Sequence, residues 1–483
     1  MQQSAIGWLF SALGVAALSG CGGDHTSISP AAGSPAENAG PTTGTEPAAA
    51  PGSAGSRGAA PAPGSAGASP AEAGAASDGT VALSPDSPPA AGAGAPSAAA
   101  SAALDQALDA AVERGDTAGV VGLVVDRNGV LFEGASGQLA VASGTAMPTD
   151  AIFNMASMTK PVTSVAVMQL FDQGLVGLDD PVSDYLPGFD ALEVLTSFDA
   201  ATGAFETAPA TSVMTLRHLL SHTSGIGYAF SNATVARLSQ EFPGAAEWEL
   251  PLLNEPGAQW HYSASTRVLG LVVEEISGQT LEDYFREHIF EPLAMPDTSY
   301  AVPADQRARV PTLHTRAADG SLPEAPQNVP TTPTPPFGGD GGLYSTAHDY
   351  GQFMRMFLNG GELDGARILS AEAVALMGQN QIGDLFVELQ DAAIPQFTKP
   401  FPLGAGTDKF GLGFQITNAD SGGASRSVGS LAWAGAFNTE FWIDPQRGVA
   451  ATLLMQVVPF YDDGAIRALQ DFEATVYREL TPR

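Results

Sequence analysis

Apolar residues recur at regular spacings from about Leu104 to the C-terminus. Over Ala103–Arg114 that spacing predicts a helix. Gly119–Asp126 and Val130–Gly134 are apolar runs on either side of Arg127-Asn128-Gly129, which reads as a hairpin. Thr439–Ile443 and Val449–Met455 flank Asp444-Pro445-Gln446-Arg447-Gly448 in the same way. Beyond them Ile466, Leu469, Phe472, Val476 and Leu480 mark one buried stripe of a final helix. Strands therefore gather at the two ends of this region, and helices and loops fill its middle. The simplest assembly joins both ends in one antiparallel β-sheet flanked by helices, with a mostly helical subdomain beside it. The predicted fold class is α/β, of the α+β type. Residues 188–214 and 310–340 read as loops, the second rich in Pro, Thr and Gly.

The N-terminal part has another texture. Residues 24 to about 102 are mostly Ala, Pro, Gly, Ser and Thr, with no aromatic residue and with Ile28, Val81 and Leu83 as the larger aliphatics. So little apolar surface cannot offset chain entropy, so the segment is expected to be a disordered tether. As a flexible coil it would span roughly 50 Å. Ahead of it, Ala5–Leu18 is a short apolar run closed by Ser19 and Gly20, the outline of a secretory signal peptide. Leu18-Ser19-Gly20-Cys21 resembles a bacterial lipobox, which implies lipid attachment at Cys21. The expected organisation is a signal peptide over 1–20, a tether over 21–102 and a globular domain over 103–483. Such a protein would be exported and held on the cell envelope, periplasmic or at the surface, by its lipid anchor only.

Charge removes some functions. Lys plus Arg is 20 and Asp plus Glu is 52, so the formal charge is 20 − 52 = −32. A chain that acidic is not expected to bind nucleic acid or to dock electrostatically on anionic lipid. Cys21 is the one cysteine, which excludes an internal disulfide and a cysteine-based zinc site. His218 and His222 stand four apart, but Leu219 occupies the place of the glutamate in a zincin pair, so no metal is expected.

The candidate chemistry begins at Ser157. Ser157-Met158-Thr159-Lys160 runs into the apolar stretch Pro161–Leu170, which reads as a buried helix with proline in its first turn. Ser157 then sits where free backbone N–H groups favour an oxyanion. Lys160, one of three lysines in the chain, shares its helical face three residues on. Burial there disfavours an ammonium and leaves an amine able to take the hydroxyl proton. The competing reading is a serine cap followed by a surface lysine.

The wider pattern is identified with a family. The Ser157–Lys160 motif is similar to the nucleophile motif of the serine β-lactamase and penicillin-binding-protein superfamily. The blocks His218–Gly225, Pro256–Ser263, Gly338–Asp349 and Trp433–Gly435 with Asn438–Pro445 follow in the family's order. The likeness covers about 104–483 and is nearest to class C β-lactamases and family VIII carboxylesterases. It implies a β-lactamase/transpeptidase-like fold and an acyl-enzyme on Ser157. Lys160 and Tyr262 would share the work of general base and acid. The backbone N–H groups of Ser157 and Ala436 would form the oxyanion hole, and Trp433 and Gly435 would line the substrate site. No cofactor is implied, and the partner is a small-molecule ester or amide substrate. Ala264 and Trp433 replace the Asn and Lys of the β-lactamases. That favours an uncharged ester over a β-lactam or a D-amino-acid peptide. A catalytically inactive, envelope-tethered binding domain is the reading from outside the enzymes.

Overall fold

The computed structural model describes residues 96–419 and 425–481. Cys21, the expected signal peptide and the tether as far as residue 95 lie outside the described residues. Among the described residues, no helix is long and apolar enough to cross a membrane.

One eight-stranded sheet organises the domain. Its strands are β1 (Gly119–Asp126), β2 (Val130–Ala140), β3 (Thr145–Ala146), β4 (Lys409–Phe410), β5 (Gln415–Ile416), β6 (Leu431–Gly435), β7 (Thr439–Asp444) and β8 (Val449–Leu454). They lie in the order β4-β5-β6-β7-β8-β1-β2-β3, with every neighbouring pair antiparallel. The two ends of the domain meet at β8 and β1, where Val121 opposes Leu454 and Asp126 opposes Val449. Both expected hairpins are present, and the fold is the expected mixed α/β architecture.

Every residue of β1, β7 and β8 is buried, so both sheet faces are covered. The period of two in a strand divides their side chains. Val120, Val124, Trp442 and Leu453 face a layer of two helices, α1 (Ala98–Glu113) and α5 (Asp463–Glu479). Leu104 and Leu108 of α1 meet Leu469, Phe472 and Val476 of α5 there, on the stripe read from the sequence. Val121, Leu123, Phe441 and Ile443 face the larger core, against Phe353 and Met354 of α4 (Ala347–Leu358). That core continues into the helical region around α2 (Thr159–Asp172) and α3 (Ser265–Ser277). Positions 159–170 of α2 are all buried, so it is the central helix of that region.

Several boundaries differ from expectation. Helix α1 starts at Ala98, where Ser97 accepts the Ala100 N–H at 3.1 Å and caps it. Strand β2 runs to Ala140, because residues beyond Gly134 go on pairing with the start of β1. The 188–214 segment holds a hairpin, Glu193–Phe198 with Phe205–Pro209. Leu195, Phe198 and Phe205 pack it on a local cluster of Val235, Leu238 and Leu250. Within 310–340, Leu313–Thr315 pairs with Glu324–Ala325 and with Val457–Val458. Each of these is short enough for tertiary contacts to outweigh a loop-like composition.

Candidate active site

Ser157 is presented by a sharp turn. Phe153–Asn154 pairs with Tyr344–Ser345, Met155 N–H donates to the Leu343 carbonyl at 2.8 Å, and Asn154 Oδ1 accepts the Ala156 N–H at 3.0 Å. These anchors hold Ala156 at φ 43°, a conformation that costs a non-glycine residue on the order of 1–3 kcal/mol. Ala156–Met158 is a 3₁₀ turn that leads into α2. Ser157 is half-buried between buried Ala156 and Met158. Lys160, 2% exposed, donates from Nζ to Ser157 Oγ at 3.2 Å and to the Asp340 carbonyl at 2.8 Å.

Tyr262 reaches this pair from just ahead of α3. Its segment is stitched to residues 222–224: His222 Nδ1 bonds Ser263 Oγ at 3.0 Å, and Ser224 Oγ bonds Ser265 Oγ at 2.7 Å. Lys160 Nζ stands 4.8 Å from the centre of the Tyr262 ring. The phenol oxygen accepts the Trp433 indole N–H at 3.4 Å, and the two rings pack 4.9 Å apart. The structure thus brings Ser157, Lys160, Tyr262 and Trp433 together from three separate segments.

Strand β6 forms the opposite wall. β5 pairs with Leu431 and Ala432, so Trp433–Gly435 run on past it beside the turn that carries Ser157. A Cβ on Gly435 would stand 2.3 Å from the Met155 carbonyl and 2.2 Å from Thr439 Oγ1, so only glycine lets strand and turn approach so closely. Ala436 shares an apolar cluster with Ala156, the residue before Ser157.

The family model described as beta-lactamase matches residues 104–475. The chain belongs to the beta-lactamase family. With that family it joins the serine hydrolases and acyltransferases of the same fold. Protein Rv1367c of Mycobacterium tuberculosis is 33% identical over 363 residues, 72% of this chain and 88% of that protein. Lovastatin esterase of Penicillium rubens is 29% identical over 392 residues, 76% of this chain and 96% of the esterase. A solved mutant of simvastatin synthase from Aspergillus terreus superposes with a TM-score of 0.67 at 27% identity, covering 80% of this chain and 98% of that one.

In this beta-lactamase-family chain a second set of groups surrounds Lys160, and the sequence reading did not name it. Asp340 lies at the start of the Gly338–Asp349 block. Its carboxylate accepts the Tyr228 hydroxyl at 2.6 Å and pairs with Arg267 at 2.7 Å. Burial pushes the Asp340 carboxyl up, but the Arg267 and Lys160 cations and the Tyr228 hydrogen bond outweigh it and hold the group below the usual carboxylate range. Burial and the Asp340 charge push the Tyr228 phenol well up, so it stays a donor. Its ring lies 5.2 Å from Lys160 Nζ. The aspartate between glycines was the one signal in the sequence; Tyr228 and Arg267 gave none. The two histidines serve separate purposes. His218 Nδ1 accepts the Thr215 N–H at 3.2 Å in a helix cap, whereas His222 bonds Ser263 and is held neutral, mainly by burial.

Proposed function

We propose that the protein cleaves a carboxylic ester through an acyl-enzyme on Ser157. The observation that carries this reading is the 3.2 Å contact between Ser157 Oγ and Lys160 Nζ with the Tyr262 ring over the same nitrogen. Ser157 Oγ attacks the carbonyl carbon as its proton passes to the Lys160–Tyr262 pair. The backbone N–H groups of Ser157 and Ala436 take the oxyanion. Collapse of the tetrahedral intermediate expels the alcohol, which Tyr262 protonates. Water then attacks the acyl-enzyme by the reverse proton path and releases the acid. Trp433 in place of a lysine offers no anchor for a carboxylate, which favours an uncharged ester over a β-lactam.

Labelling with a fluorophosphonate probe and locating the adduct by mass spectrometry tests the nucleophile. The adduct is expected on Ser157, and p-nitrophenyl ester turnover is expected to exceed nitrocefin turnover. Ser157→Ala should lower kcat by about three orders of magnitude or more with an unchanged circular dichroism spectrum. Labelling elsewhere, or full ester turnover by that variant, would exclude the mechanism.

We also propose that a lipid on Cys21 holds the protein on the cell envelope, because Leu18-Ser19-Gly20-Cys21 resembles a lipobox and a chain of net charge −32 gains nothing from anionic lipid. Cys21→Ala is expected to move the protein from the membrane to the soluble fraction of cells. Retention in the membrane would exclude the anchor.

A further inference from the structure

One residue offers Lys160 two acceptors, and Lys160 takes the weaker of them. Its Nζ donates to the Asp340 carbonyl at 2.8 Å and to Ser157 Oγ at 3.2 Å. The Asp340 carboxylate is occupied by other groups. Its Oδ2 accepts the Tyr228 hydroxyl at 2.6 Å, and Arg267 Nε stands 2.7 Å from Oδ1. That ion pair lies off the axis of a hydrogen bond, and Oδ1 is buried with no donor of its own. The directed hydrogen bond on this carboxylate is that of Tyr228.

The backbone around Asp340 is fixed separately. Three successive carbonyls meet three side-chain donors: Gly338 takes the Tyr300 hydroxyl at 2.7 Å, Gly339 the Thr163 hydroxyl at 2.6 Å, and Asp340 the Lys160 amine. Tyr228 comes from another segment and is held by its ring, which stacks 4.8 Å from Phe230 and lies 5.2 Å from the Tyr262 ring. The other ionisable groups that face Lys160 are engaged as well. Glu247 Oε1 accepts the Ala229 N–H at 2.7 Å, and His222 bonds Ser263.

We propose that Tyr228 is a positioning residue whose hydroxyl keeps the Asp340 carboxylate from capturing Lys160. A hydrogen bond from an ammonium to a carboxylate is roughly twice as strong as one between neutral groups. Lysine carries its nitrogen on a long flexible stem, and Nζ already bonds the backbone of the same aspartate, so a short swing takes it to a vacated Oδ2. An amine held there keeps its proton and turns away from Ser157 Oγ. Tyr228 fills Oδ2 with a neutral donor, so Lys160 meets the carbonyl and stays beside the serine.

Because this rests on the reading of Lys160 as the base for Ser157, the test has a structural arm that needs no turnover. Tyr228→Phe keeps the ring and removes the hydroxyl. In a crystal structure of that variant, Lys160 Nζ is expected on the Asp340 carboxylate and away from Ser157 Oγ. Lys160 still on the Asp340 carbonyl would overturn the proposal. In the kinetic arm, Tyr228→Phe is expected to lower kcat for a p-nitrophenyl ester about tenfold or more, with KM within about twofold of the wild type. Adding Asp340→Asn removes the capturing carboxylate. The double variant is therefore expected to match the kcat of Asp340→Asn alone and to exceed that of Tyr228→Phe. A merely structural role would make the two losses multiply. That result, or wild-type kcat in Tyr228→Phe, would overturn the capture. Absence of ester turnover by the wild type would instead count against the hydrolase reading, and the crystal structure would still locate Lys160.

Discussion

Asp340 links Lys160 to the domain by both its backbone and its side chain. Its carbonyl holds Lys160 Nζ, while its carboxylate holds Arg267 and Tyr228. Side-chain exposures of 24% for Arg267 and 13% for Asp340 put the ion pair between the surface and buried limits. Asp340→Asn is expected to cost about 2 kcal/mol of stability. The Asp340 carboxyl is held below its unfolded value. Its contribution is therefore present above about pH 4 and fades as pH falls through the folded value. The gap in urea midpoint between wild type and Asp340→Asn should close in acid; a gap independent of pH would show that the carboxylate charge is not its source. Glu440 of β7 runs the other way. Burial pushes its folded value up to about 8, above the unfolded one, so stability falls as pH rises between about 4 and 8. Glu440→Gln is expected to raise Tm at pH 7 and to leave it unchanged near pH 4. At this scale the Ser157–Lys160 contact was legible, because hydroxyl and amine are three residues apart on one turn. Tyr262 and Trp433 were legible only through the resemblance. Tyr228 and Arg267 stayed hidden, since an ordinary tyrosine or arginine acquires its role here from Asp340, more than 70 positions away.

Between elements, the decisive contact is that of β6 with the turn before α2. Apolar runs and turn residues announced β1, β2, β7 and β8, and the charge-free run after Lys160 announced a buried helix. What they could not announce is how closely two elements pass, which depends on a missing Cβ. Gly435→Ala would drive the Met155 carbonyl and Thr439 apart from β6. Overpacking of this kind costs about 1–3 kcal/mol. Because the displaced atoms belong to the turn that carries Ser157, kcat is expected to fall at least tenfold along with Tm. A variant that lost Tm but kept kcat would separate the two elements functionally. The hairpin within 188–214 escaped the sequence reading for a related reason: its apolar residues are few, and Val235, Leu238 and Leu250 supply the surface that makes it a sheet.

For the molecule as a whole, the sheet is completed by strands from both ends of the domain, and α1 seals one of its faces. Leu104 is fully buried and Leu108 is 2% exposed, the latter with its methyl group beside Gly122 in the centre of β1. Burying each leucine stabilises by roughly 1.5–3 kcal/mol. Two such residues and the flanking alanines, Ala100 and Ala111, therefore represent a large share of the roughly 5–15 kcal/mol that separates a folded domain from its unfolded chain. Helix α1 is thus part of the domain although it follows directly on the Ala- and Pro-rich stretch and shares much of its composition. A chain beginning at Ser97 keeps the helix and its cap and is expected to melt at the temperature of the full chain with the same kcat/KM. A chain beginning at Gly115 exposes Phe472, Val476 and the outer side of β1 together. It is expected to aggregate, or to melt well below the longer version by differential scanning calorimetry. Equal melting temperatures for the two truncations would mean that the α1–α5 layer is an accessory to the sheet and not its support.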